Sequence, residues 1–399
     1  MTLLAGKTGR LFIINLLTGV SYAFILPVMS LYLINGLHAE PLFITFYSLG
    51  FALSGLICSQ YLGGLADRGY SHKTLFLISL IALFLSGVMF TFCRTPLEAL
   101  LTGIFLMGPG NASVPLLLAM IRRHSVTMKL NATRLNTQMR SGVSVVWIAG
   151  PALAFIFADK YGFVFNFMMS ACLSGVTILL SLLLLTGPKL KQQNTAEKTI
   201  VRRQRLPPQV WLTGLVMLLA NLSNNLYLTV MPLYLVRDLA MPAWFPGFLL
   251  GSTALLEIPV MLVAARLSER YGKIPLIMTG FASASVYYGL LQLAGSMPFL
   301  LTIQLFNGLF FGIFVGLGIS IVQETLPERS GFASAFYSNM MRVGMMAGNG
   351  IAGITAQTGG FRMTLMVPLF SVVGAAILLF FTSGLSQRKN QPSPPSSSL

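Results

Sequence analysis

The chain has 399 residues, 55% of them hydrophobic and 9% charged, with a mean hydropathy of +0.77. A soluble domain carries charge on about a quarter of its residues, so water is excluded as the main solvent. The formal charge of +16 would suit a nucleic-acid partner, but the placement of the Lys and Arg residues follows membrane topology and excludes that partner.

Apolar stretches run past the roughly 20 residues that a helix needs to cross a hydrocarbon core of about 30 Å, and helices rather than barrel strands are therefore the spanning elements. In chain order the spans fall near 11–34, 42–65, 74–93, 97–121, 131–157 and 163–185, then near 210–236, 247–265, 274–294, 299–322, 332–356 and 363–384. The expected fold class is an all-α membrane protein of twelve transmembrane helices. The first span is long and has no small-residue cleavage site, so it reads as a retained anchor.

With the amino terminus inside, the inner segments hold Lys7, Arg10, Arg122, Arg123, Lys129 and most other basic residues, whereas the outer loops hold only Arg94, Lys160, Arg237 and Arg362. This asymmetry predicts an inner-membrane protein with both termini in the cytoplasm. Cys58, Cys93 and Cys172 lie within or at the end of spans, without metal-ligand spacing, and read as small packing residues. His38, His72 and His124 sit singly at loops. No nucleophile elbow, phosphate loop or metal cluster is visible, so neither an enzyme nor a bound cofactor is expected.

The sequence repeats itself at an offset of 202. Ser30 to Ile34 match Pro232 to Val236, Asp67-Arg68 match Glu269-Arg270, Pro96 matches Pro298, Met139-Arg140 match Met341-Arg342, and Gly142 matches Gly344. One register held across six spans implies duplication of a six-helix unit. The expected organisation is a half over 1–185, a cytoplasmic linker over 186–209 with Pro207-Pro208 at its end, a second half over 210–385, and a disordered Pro/Ser-rich tail over 386–399. Six helices return the chain to its starting side, so the halves have parallel topology.

The loop after span two, Gly64-Leu65-Ala66-Asp67-Arg68, and its partner Ser268-Glu269-Arg270-Tyr271-Gly272-Lys273 resemble the signature of the major facilitator superfamily. The first copy departs after Arg68, running on as Gly69-Tyr70-Ser71-His72-Lys73. Asn224-Asn225-Leu226-Tyr227, Leu256-Glu257-Ile258-Pro259, Gln304 to Asn307, Gln323 to Pro327 and Gly150 to Ala154 resemble the bacterial sugar efflux transporters within it. That resemblance implies export of sugars or glycosides driven by proton antiport.

Ionisable groups at membrane depth are few, and each costs at least about 2.5–3.5 kcal/mol if isolated. Glu257 lies ten residues into span eight, about 15 Å deep at 1.5 Å per residue, and is the expected proton-coupling residue. The alternative is a static ion pair with Arg342. Arg140 and Arg342, in spans five and eleven, carry a fork of donors suited to sugar hydroxyls. Asn221, Asn224 and Asn225 share one face of span seven, with Tyr227 close by, and Gln304 and Asn307 share a face of span ten. Their amides supply the donor and acceptor that a hydroxyl needs, although bonding between helices is the other common use of such side chains in membranes.

Asn15, Thr18 and Tyr22 in span one and Trp147 in span five extend the expected substrate site, Trp147 by stacking on a sugar face. Gly108, Pro109, Gly110 and Pro115 read as conformational. Asp67, Arg68, Glu269, Arg270 and Lys273 at the inner surface are expected to act as latches that gate the transport cycle. The partners expected are a small sugar or glycoside, protons and membrane lipids, around a monomer. A drug exporter or a sugar–proton symporter would use the same machinery.

Overall fold

A computed structural model describes residues 6–128, 132–185, 207–326 and 330–389. Among these residues the chain is helical nearly throughout, and eight helices are long and apolar enough to cross a membrane, with a ninth if the bent pair Phe336–Thr364 and Met366–Phe381 counts as one span. Twelve rods follow when the breaks are read.

Span one consists of Gly6–Ala23 continued by Met29–Leu31 and a π-helical turn at Tyr32–Gly36. Leu42–Asp67, His72–Phe92 and the interrupted series from Pro96 to Thr127 form spans two to four. The long helix Ala132–Leu184 breaks at Gly162, and Ser330–Thr364 breaks at Gly360, where φ is +84° and +74°. Only glycine adopts that region at no steric cost. Each break separates two rods, giving spans five and six and spans eleven and twelve. Pro208–Leu233 with the π-helical turn Tyr234–Asp238, Phe245–Tyr271, Lys273–Leu291 and Met297–Thr325 form spans seven to ten.

The rods pack into two compact units. The first comprises Met1–Ile200, Leu228–Ala254 and Asn349–Thr364, and the second Val201–Tyr227, Leu255–Gly348 and Leu365–Leu399. Packing thus divides spans seven, eight and eleven partway along, whereas the sequence repeat divides the chain at the linker.

Inside each unit the same crossings recur. In the first, Gly142 of span five meets span one, where a Cβ would lie 2.9 Å from a Leu16 methyl; in the second, Gly344 of span eleven lies against the carbonyl of Leu218 in span seven. Leu16 and Leu218 are themselves one repeat apart. The Asn15 amide donates to the Met139 carbonyl at 3.0 Å, and the Asn221 amide donates to the matching carbonyl of Met341. Helices in lipid gain nothing from burying apolar surface against each other, so small residues and side-chain-to-carbonyl bonds hold them together. Replacing Gly344 by Ala is predicted to destabilise the protein by about 1–3 kcal/mol, read as a lower thermal midpoint in detergent. Gly63→Ala, where a Cβ meets nothing within 4 Å, is predicted to leave the midpoint unchanged or higher.

Candidate transport site

In the first unit a cleft of about 210 Å³ opens between spans one, four and five, with Asn15, Thr18, Tyr22, Asn111 and Trp147 on its wall. Thr18 donates to the Ile14 carbonyl at 2.7 Å, which fixes its hydroxyl along its own helix. Tyr22, nearly fully buried, shares a hydrogen bond of 3.2 Å with the Ser113 hydroxyl. Trp147 is 40% exposed.

Asn111 reaches the cleft because span four is interrupted there. A π-helical turn over Gly103–Met107 ends with the Gly108 N–H donating to the Gly103 carbonyl. The next bond in that register would join residue 109 to the Ile104 carbonyl, and Pro109 has no N–H to give. The Ser54 hydroxyl of span two supplies the missing donor, at 2.5 Å from the Ile104 oxygen. Asn111 and Ala112 then fall outside the helix before it resumes at Ser113. The Gly108-Pro109-Gly110 series is therefore conformational, as the sequence suggests, and it also delivers a polar side chain that sequence reasoning missed. The signal available was an Asn directly after Gly-Pro-Gly in the middle of an apolar span.

The second unit treats its polar residues differently. Gln304 and Asn307 of span ten and Tyr227 of span seven are fully buried. The Gln304 amide donates to the hydroxyls of Tyr287 at 3.1 Å and Tyr227 at 3.4 Å, those two hydroxyls are 2.6 Å apart, and Asn307 donates to the Gln304 oxygen at 3.0 Å. This network joins spans seven, nine and ten, and is the bonding between helices weighed against substrate contact for these residues. Asn225 donates to the carbonyl of Asn221 at 2.9 Å and to its side-chain oxygen at 3.2 Å. The side-chain oxygen of Asn224 is buried and accepts no hydrogen bond among the described residues.

Glu257 is partly buried in span eight. Span ten holds that stretch of span eight close through glycines four apart: a Cβ on Gly308 would lie 2.6 Å from Leu256, on Gly312 2.8 Å from the Glu257 carbonyl, and on Gly316 2.9 Å from Met261. Among the described residues neither Glu257 nor the exposed Arg342 forms an ion pair. The static Glu257–Arg342 pair that the sequence leaves open is therefore not formed. The side chains of Arg140 and Asp67 lie outside the described residues.

At the ends of spans nine and ten nearest the loop signature, Lys273 pairs with Glu324, from the Gln323-Glu324-Thr325 segment that closes span ten. Arg68, Glu269 and Arg270 are exposed. At the other ends of the spans, the first unit contains two further crossings. Thr45 of span two donates to the Gly350 carbonyl of span eleven at 2.7 Å, and a Cβ on Gly353 would lie 2.6 Å from the Pro41 carbonyl. In the second crossing, Gly247 of span eight would bring a Cβ within 2.8 Å of the Pro151 carbonyl in span five. Gly353 also abuts Thr45, and adding 202 to Thr45 and subtracting 202 from Gly353 gives Gly247 and Pro151, so the crossings are repeats of one another. Arg237 donates to the side chain of Asn35 at 2.7 Å and to the Ile34 carbonyl at 3.3 Å. Asn35 and Arg237 are also 202 apart, so this contact joins a position to its own repeat counterpart.

The sequence profile of the Major Facilitator Superfamily matches residues 11–291 and 213–398. The chain belongs to that superfamily, and within it to the sugar efflux transporter family. It is 31% identical over 391 residues to sugar efflux transporter A of Dickeya chrysanthemi, covering 95% of this chain and 99% of that one. It is 29% identical over 367 residues to sugar efflux transporter B of Salmonella typhimurium, covering 92% and 93%. As a superfamily member it is a multi-pass inner-membrane transporter.

Its fold superposes on the nucleoside transporter NupG with a TM-score of 0.79 at 14% identity, covering 96% of this chain and all of that one. A bacterial homologue of the iron transporter ferroportin, in an inward-facing state, gives 0.74 at 17% identity, covering 94% and 98%.

Proposed function

We propose that this chain exports small sugars or glycosides from the cytoplasm in exchange for protons, by alternating access of its two six-helix halves, residues 1–185 and 210–385. Both termini lie in the cytoplasm, and the working unit is a monomer in lipid. The names of its relatives, sugar efflux transporters at 27–31% identity over nearly the whole chain, support the substrate class.

The first-half cleft supports it chemically. Asn15, Tyr22 and Asn111 bring amides and a phenol to one wall, and Trp147 offers an aromatic face. A sugar presents hydroxyls at its rim and C–H groups on its faces, and these groups complement both. Arg140, Arg342, Asn221, Asn224 and Asn225 are assigned to the same substrate path. Tyr227, Gln304 and Asn307 act behind it by holding spans seven, nine and ten in register.

One observation carries the coupling: Glu257 is a partly buried carboxyl within a span and has no cation in ion-pair contact among the described residues. An ionised carboxylate at membrane depth is costly unless water reaches it, and a protonated one is not. Opening to one side and then the other lets the same group take up and release a proton. In this reading the crossings at Gly247 and Gly353 and the Asn35–Arg237 contact close the outer ends. Asp67-Arg68, Glu269-Arg270 and Lys273 latch the inner ends.

Glu257→Gln keeps the size of the side chain but cannot exchange a proton. It is predicted to abolish pH-gradient-driven efflux from proteoliposomes while leaving sugar exchange at zero gradient largely intact. A folded variant that still exports uphill with the gradient removes Glu257 as the coupling site. Glu269→Gln is predicted to shift cysteine accessibility at the two membrane faces with little change in sugar affinity. A collapse of affinity with unchanged labelling would instead place Glu269 in the binding site.

A further inference from the structure

The second unit carries a groove of about 300 Å³ where spans eight, nine and ten meet, lined by Val260, Val263, Leu267, Leu276, Thr279 and Ile313 among others. Its one hydroxyl is already satisfied, since Thr279 donates to the Pro275 carbonyl of its own helix at 3.0 Å and so can turn its methyl to the groove. Val263 and Leu267 are 53% and 38% exposed, so the groove opens on the surface of the unit. Such a wall fits a hydrocarbon chain and offers nothing to a sugar.

What lies at the groove's end defines the ligand further. At about 100° per residue, Arg270 and Tyr271 stand about 50° to either side of the direction in which the groove-lining residues of span eight point, and Glu269 stands about 150° away from it. The Arg270 guanidinium leans over the Tyr271 ring, 5.4 Å from its centroid, and so spans the groove direction. Arg270 is about 4.5 Å further along the helix than Leu267. Among the described residues neither Arg270 nor Arg266, one turn earlier, forms an ion pair, while Lys273 beside them is already paired with Glu324. The pattern is an apolar slot capped by an uncompensated guanidinium at the basic end of the span, where anionic lipids concentrate.

We propose that this groove is a binding site for one anionic phospholipid, with an acyl chain along Val263, Leu267 and Leu276 and the phosphate on Arg270, flanked by Arg266 and Tyr271. Arginine matches a phosphate bidentately, and the paired Lys273 does not compete for it. The site lies in the second unit, apart from the polar cleft of the first unit, and its occupancy is measurable without transport.

The test is native mass spectrometry of the delipidated, purified full chain offered equal amounts of phosphatidylglycerol and phosphatidylcholine. The wild type is predicted to retain one phosphatidylglycerol with about a fivefold preference, the factor that one basic residue supplies near an anionic headgroup. Arg270→Gln is predicted to erase the preference while keeping lipid of both kinds. Thr279→Phe, an exposed groove position, is predicted to remove the bound lipid of both kinds. Equal retention of the two lipids by the wild type, or a preference that survives either substitution, overturns the proposal.

Discussion

One constraint governs how the helices of this protein hold together: in a bilayer, two helices gain nothing from hiding apolar side chains from lipid that is equally apolar. Cohesion has to come from close backbone approach and from polar groups with no alternative partner. The chain meets this at glycines set where helices cross. Gly142 and Gly344 admit spans one and seven, Gly247 and Gly353 join the ends of spans farthest from the termini, and Gly308, Gly312 and Gly316 seat span eight on span ten. At several crossings a side chain also donates to a carbonyl of the neighbouring helix, as Asn15, Asn221 and Thr45 do.

The duplicated halves use their polar residues unequally. In the first, the break at Pro109 brings Asn111 to a cleft that Asn15 and Tyr22 of span one also line, with the Asn15 amide bonded to Met139 and the Tyr22 hydroxyl to Ser113. In the second, the amides of span ten turn into a sealed cluster of tyrosines. In that second unit Tyr227, Tyr287 and Gln304 bond to one another between spans seven, nine and ten, and Glu257 lies on span eight of the same unit.

Much of this was legible in the sequence. Hydropathy gave the spans and the fold class because the length of a membrane helix is set by the bilayer, and the offset of 202 exposed the repeat. Glu257 stood out because a carboxyl at that depth is rare. The role of span ten was harder to read. Gln304 and Asn307 share a helical face, but whether that face meets a cleft or a neighbouring helix depends on the crossing with span nine, where Tyr287 and Tyr288 wait. Asn111 was hidden because its exposure follows from a missing N–H two residues earlier, and Glu324 because its partner Lys273 is 51 residues away. The Glu257–Arg342 pair failed as a reading because matching charge and depth do not fix the rotation of two helices about their axes.

Movement of a sugar by this chain is the central test of the proposed function. Entrance counterflow in proteoliposomes preloaded with unlabelled lactose or glucose measures it directly, since labelled sugar overshoots equilibrium only if one carrier site visits both sides. A sugar exporter gives an overshoot for at least one of these sugars, collapsing when the preload is omitted, and none for a hydrophobic dye. An overshoot for the dye alone, with neither sugar moving, would contradict the proposed function and make the chain an exporter of amphiphiles.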